Sequence, residues 1–99
     1  YISYSKFGWR RLRGASPGAY ESSVDLQPAR WTHVRVVVCG AAASLHVDGA
    51  EQPTLIVRDL KHGTGTRGPV LLWVGPGTAA QFANLKVRES RNCSQAQAR

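Results

Sequence analysis

Methionine is absent from this chain of 99 residues, which begins at Tyr1, and only six positions carry an acid against 13 lysines and arginines. The first absence points to an internal or processed piece of a longer product. The second leaves a net charge of +7 and little material for chemistry that needs paired carboxylates. Long apolar runs are missing too. The uninterrupted apolar runs, such as residues 36–39, fall far short of the ~20 residues that a bilayer-crossing helix requires, and nothing has the form of a signal peptide. No internal repeat, low-complexity tract or sustained helical stripe is visible, and the length suits one domain.

The scarcity of acids can be taken residue by residue. Glycoside hydrolysis places two carboxyl groups about 5 to 9.5 Å apart on either side of a bond. The acids here are Glu21, Asp25, Asp48, Glu51, Asp59 and Glu89. Glu21 and Asp25 share a face of one expected strand but stand about 13 Å apart at ~3.3 Å per residue. Asp48 belongs to a turn and Glu51 sits beside it. No acidic cluster offers the several oxygens that calcium takes. None of His33, His46 and His62 has a neighbouring nucleophile in a triad-like arrangement; His33 and His46 fall in expected strands and read as surface-facing. No catalytic residue, metal site or cofactor is therefore expected.

Two cysteines, Cys39 and Cys93, leave two readings open. Cys39 is either a small buried thiol at the end of an apolar strand or half of a disulfide that ties the polar tail to the sheet. The ligand spacing of a zinc site is absent.

What is present is β-patterned. Trp31 opens a run rich in β-branched residues, Val34, Val36, Val37 and Val38, which Gly40 and three alanines interrupt before residues 45–47 lead into Asp48-Gly49. That dipeptide tolerates positive φ at both central positions of a type I′ hairpin turn. The register that follows sets Val47 against Ala50, His46 against Glu51 and Leu45 against Gln52. Pro53 cannot donate to the ladder, so pairing stops or bulges there before a strand resumes over 55–60.

Elsewhere, residues 1–13 interleave aromatics with polar groups and read as an irregular strand bent at Gly8, and residues 14–18 as a turn. Residues 19–26 read as a strand with Tyr20 and Val24 on one face. Residues 61–69 form a glycine-rich loop, 70–74 and 80–87 two further strands, and 90–99 a disordered tail or linker. Six or seven short strands bounded by Gly, Pro and Asp-Gly make an all-β, antiparallel sandwich over residues 1–89.

The order of certain strings adds a resemblance. Trp31-Thr32-His33-Val34-Arg35-Val36-Val37-Val38 is followed by Gly40, by Leu45-His46-Val47-Asp48-Gly49, by Gly75-Pro76-Gly77, and by Phe82-Ala83-Asn84-Leu85-Lys86-Val87. Residues 20–89 thereby resemble the C-terminal half of a concanavalin A-like lectin/glucanase jelly roll. They are especially similar to laminin G-like domains and to the related 3-keto-disaccharide hydrolase-like domains of bacteria. The resemblance implies a partial jelly-roll domain whose other half supplies strands to both sheets, and an extracellular or periplasmic setting. The alternating acids of the glucanases are missing, so catalysis does not transfer.

These readings converge on a non-catalytic binding module, with carbohydrate as the ligand. One alternative is an accessory part of a sugar-processing hydrolase whose catalytic residues lie elsewhere; another is a structural or protein-interaction module, with self-association or contact to the rest of a longer parent. Aromatic rings stack on sugar faces while Arg and His bond the hydroxyls. Alternation puts His33, Arg35 and Val37 opposite Val34, Val36 and Val38. The valine face is the expected core, with Trp31 buried in it. Arg35, Trp73, Tyr20 and His33 are the expected ligand-binding residues. The cluster Trp9-Arg10-Arg11-Leu12-Arg13 is the one stretch that suits nucleic acid, but it reads as a solvated strand edge, so nucleic acid is not the expected partner.

Overall fold

The computed structural model describes residues 1–62 and 67–89. Regular structure among them is mainly strand. One short helix, α1 (Trp9–Ala15), precedes an antiparallel sheet of β1 (Val34–Cys39), β2 (Ala42–Val47) and β3 (Leu55–Val57), in the spatial order β1-β2-β3. No described helix is long and apolar enough to cross a membrane.

The valine-rich run forms β1, as its β-branched composition favours. It reverses at Gly40-Ala41, where Gly40 has φ 58°. A glycine with positive φ at the first position of a two-residue loop is the pattern of a type II′ hairpin. Two of the three alanines that read as a break in the sequence, Ala42 and Ala43, instead begin β2. The register sets Val34 against Val47, Arg35 against His46, Val37 against Ser44 and Cys39 against Ala42.

Asp48 and Gly49 have φ 53° and 75°, and the Ala50 N–H donates to the Val47 carbonyl at 3.2 Å. The expected turn is therefore present, but the expected ladder beyond it is not. Residues 50–54 leave the sheet, and pairing resumes with Leu55 opposite Leu45, Ile56 opposite Ser44 and Val57 opposite Ala43. Leu45 thus faces Leu55 rather than Gln52. The longer loop keeps Glu51 and Gln52 in solvent and carries Val57 into the core, where it is 3% exposed.

Directly paired residues share a face of the sheet, so Arg35, Val37, Cys39, Ala42, Ser44 and His46 lie on one side. Val34, Val36 and Val38 lie on the other. The expected core face is reversed on β1: Val36 is 62% exposed, while Cys39, Ala42, Ser44 and His46 are buried. The cause is partial cover. Leu12, Tyr20 and Val57 form a cluster with Ile2, Tyr4, Phe7, Leu55 and Leu60, which shields the second face at its β3 end and leaves the β1 end bare.

Residues 1–13 are not a strand. Leu, Arg and Ala favour helix, the Leu12 N–H donates to Gly8 O at 3.0 Å, and the unpaired Trp9 N–H of the first turn finds Ser3 Oγ at 3.1 Å. Residues 19–26, 70–74 and 80–87 are irregular rather than strands. No neighbouring strand pairs with them among the described residues, and the apolar side chains of the last two segments are exposed, as is Trp31. Cys39 is disulfide-bonded, so the free-thiol reading falls. Cys93 and the tail at 90–99 lie outside the described residues.

Candidate functional site

The β1–β2 pairing and the Asp48-Gly49 turn together build a cleft. Asp48 closes the open end of the hairpin: its N–H donates to His33 O at 2.8 Å, and its Oδ1 accepts the His33 N–H at 3.0 Å. Arg30 Nη2 stands 4.0 Å from Asp48 Oδ2. The turn then carries Gly49, Ala50 and Glu51 back over the polar face of the sheet. A cleft of about 260 Å³ results, lined by His33, Arg35, His46, Gly49, Ala50 and Glu51.

His46 forms the floor and is 2% exposed, where a surface position was expected. Its Nδ1 lies 3.0 Å from Ala50 O, and its Nε2 lies 3.2 Å from Ser44 Oγ. A carbonyl can only accept, so Nδ1 carries the proton and Nε2 accepts from the Ser44 hydroxyl. Both ring nitrogens of a buried imidazole are thereby satisfied. The arrangement has the atoms of a serine–histidine dyad, but Ser44 is itself buried and does not line the cleft. A nucleophile must meet its substrate, so this pair is structural. The Ser44-x-His46 spacing, which puts both side chains on one face of a strand, was the signal in the sequence.

Of the four expected ligand residues, two come together. His33 and Arg35 are exposed at the cleft, and Arg35 is on the face opposite Val34 and Val36, as the alternation requires. Trp73 is 76% exposed on the irregular 70–74 segment and does not line the cleft. Tyr20 is buried in the core on the other side of the sheet. Its hydroxyl donates to Asp59 Oδ2, which also accepts from Lys61 Nζ at 2.9 Å. The Tyr20 hydrogen bond first, and the Lys61 bond second, hold the Asp59 carboxyl below the usual carboxylate range. Lys61 is shifted upward by Tyr20 and then by Asp59. Tyr20 is therefore a packing residue.

No group of three or more metal-ligating side chains gathers among the described residues. Comparison of the chain with protein-family models, with curated proteins and with solved structures finds no match.

Proposed function

We propose that this chain is a non-catalytic binding module that takes a sugar residue of a carbohydrate in the cleft between β1 and the 49–51 turn. The observation that carries the reading is the lining itself. Arg35 and His33 offer donors, Glu51 and the main chain of the turn offer acceptors, and the paired strands β1 and β2 lie beneath. Clefts for drug-sized ligands run from about 300 to 1,000 Å³, so a site slightly smaller than that suits one ring of a longer glycan. Affinity then comes from hydrogen bonds to hydroxyls, because neither Trp73 nor Tyr20 reaches the cleft to stack.

In the same proposal the sheet belongs to a larger jelly-roll sandwich of the concanavalin A-like kind. Its second sheet would cover Val34, Val36 and Val38, and the 70–74 and 80–87 segments would pair within it. The Cys39 disulfide supports an extracellular or periplasmic setting, since disulfides persist in oxidising compartments. A parent of this kind also accommodates the accessory role beside a sugar-processing hydrolase. A second reading, a protein-interaction module, is favoured by one specific observation: the apolar ridge of β1 is exposed on an edge strand.

Titration with neutral oligosaccharides at low and high salt tests the first reading. Binding that varies little with salt and is lost in Arg35→Ala but kept in Arg11→Ala supports it. Binding indifferent to Arg35→Ala removes the cleft as the site.

A further inference from the structure

The arginine cluster reads from sequence as a charged strand edge, and the structure removes that explanation because Trp9–Ala15 is a helix. A helix of this length needs no edge protection, yet it carries Arg10, Arg11 and Arg13 together. Each guanidinium is held against a ring. Arg10 and Arg13 lie 5.3 and 4.6 Å from the centre of Trp9, and Arg11 lies 4.7 Å from the centre of Phe7. Tyr1, well exposed, leans on Trp9 with ring centres 5.7 Å apart. The stacking fixes flexible side chains that would otherwise lose freedom on binding.

The charges are unequally committed. Arg13 Nε donates to Glu21 Oε2 at 2.8 Å, and the pair is spent on itself. Arg11 uses one Nη1 bond on the Lys6 carbonyl at 2.8 Å and keeps its other donors. Neither Arg10 nor Arg11 has a carboxylate partner among the described residues. What remains is a pair of pre-oriented guanidinium forks beside an exposed tyrosine ring, on a chain of net charge +7.

We propose that this surface, formed by Tyr1, Trp9, Arg10 and Arg11, binds single-stranded nucleic acid, independently of the sugar cleft. Guanidinium forks match phosphate oxygens two at a time, and the outer faces of stacked guanidiniums and of tyrosine accept unstacked bases. Flat bases stack on guanidinium planes as well as on aromatic rings, so the Arg10 and Arg11 planes beside the Tyr1 ring favour this polymer over a sulfated glycan, whose puckered sugars would stack on the ring alone.

The test is fluorescence anisotropy of a labelled oligothymidylate with the 99-residue chain, across a range of salt, with dextran sulfate as competitor. The variants are Arg10→Gln with Arg11→Gln, Tyr1→Ser, and Arg35→Gln at the cleft. The expected result is saturable binding that the double variant weakens about tenfold or more, with the salt slope reduced by about 1.4, or ~0.7 for each phosphate no longer neutralised. Tyr1→Ser should weaken it about fivefold or more, and Arg35→Gln should leave it unchanged. Circular dichroism spectra matching the parent exclude unfolding as the cause. Absence of saturable binding, or binding unchanged in the double variant, overturns the proposal. So does binding unchanged in Tyr1→Ser with full displacement by dextran sulfate, which identifies a charge-only polyanion surface. Neutral-sugar binding in the same samples reports on the cleft separately, so either site can fail alone.

Discussion

The Tyr20 hydroxyl donates to the Asp59 carboxylate at 2.5 Å across 39 residues of sequence, joining the segment after α1 to the chain as it leaves β3. Lys61 completes the group. Its Nζ donates to the same oxygen and lies 5.2 Å from the centre of the Tyr20 ring. Tyr20 also anchors the chain start, since its carbonyl accepts the Ile2 N–H at 3.1 Å. One tyrosine thus fastens the N-terminal cover onto the sheet by its ring, its hydroxyl and its main chain.

Removing that hydroxyl should loosen the cover. Tyr20→Phe is expected to lower stability at neutral pH by about 1 to 2 kcal/mol, at the low end of the ~1.5 to 3 kcal/mol of a hydrogen bond to a charged group because the Asp59 side chain is more than half exposed. Urea unfolding reads it. An unchanged midpoint would mean that the N-terminal segment does not rest on this contact.

The same contact sets an acid limb. The Asp59 carboxyl titrates below its unfolded value, so its contribution is fully present above the unfolded carboxylate pKa of about 3.9 and fades as pH falls through the folded value. The Asp59 side chain is more than half exposed, and solvent screening holds the effect below about 1 kcal/mol. Lys61, shifted upward, works at the other limit, its contribution complete below the unfolded lysine value of about 10.4 and lost as pH rises through the higher folded value. Asp59→Asn should flatten the acid limb of a stability profile below about pH 5, and a profile identical to the parent's would discount the pair.

The buried imidazole gives a second stability test. Ser44→Ala removes the only donor found for His46 Nε2 among the described residues, leaving a buried acceptor unpaired at a cost of about 1 to 3 kcal/mol. A destabilisation of less than half that, in thermal melts, would show that the ring reorients and that the assigned tautomer is wrong.

The parts of the fold legible in the sequence were those set by local chemistry. The Val34 to Val38 run and the Asp48-Gly49 turn carry their own signals, β-branching in one case and tolerance of positive φ in the other. Alternation correctly put Arg35 opposite Val34 and Val36. The errors arose where distant cover decides. Which face of β1 is buried depends on where Leu12 and Tyr20 pack, and the return register depends on Val57 finding that cluster. Neither fact is written in β1 or β3 alone. The helix went unread because it is short and buries only Leu12, too little for a periodic stripe.

Two glycines test the turn and the helix in opposite directions. Gly49 has φ 75° with open space around a built Cβ, so Gly49→Val is opposed by backbone strain alone, on the order of 1 to 2 kcal/mol. Gly14 lies inside α1, also with open space, and Gly14→Ala should raise stability by about 0.5 to 1 kcal/mol through helix propensity and a stiffer unfolded chain. Melting temperatures that fail to move in these opposite senses would contradict one assignment or both.

The exposed ridge of Val34, Val36 and Val38 sits on β1, an edge strand with no neighbour on its outer side among the described residues. An apolar ridge beside an unpaired strand edge is a surface that other strands join, because pairing satisfies the edge and contact removes the valines from water. The net charge of +7 opposes contact between copies, and salt screens that repulsion over about 8 Å at physiological strength. Self-association should therefore rise with both protein concentration and salt, the reverse of the salt dependence of phosphate binding at α1. Val36→Lys adds a charge at a position 62% exposed, so it should suppress association with little change in monomer stability. Sedimentation velocity at low and high salt reads the first effect and chemical unfolding the second. A parent chain that stays monomeric at high salt would show that β1 is not an adhesive edge, and would favour the sugar cleft as the chain's one interaction surface on this sheet.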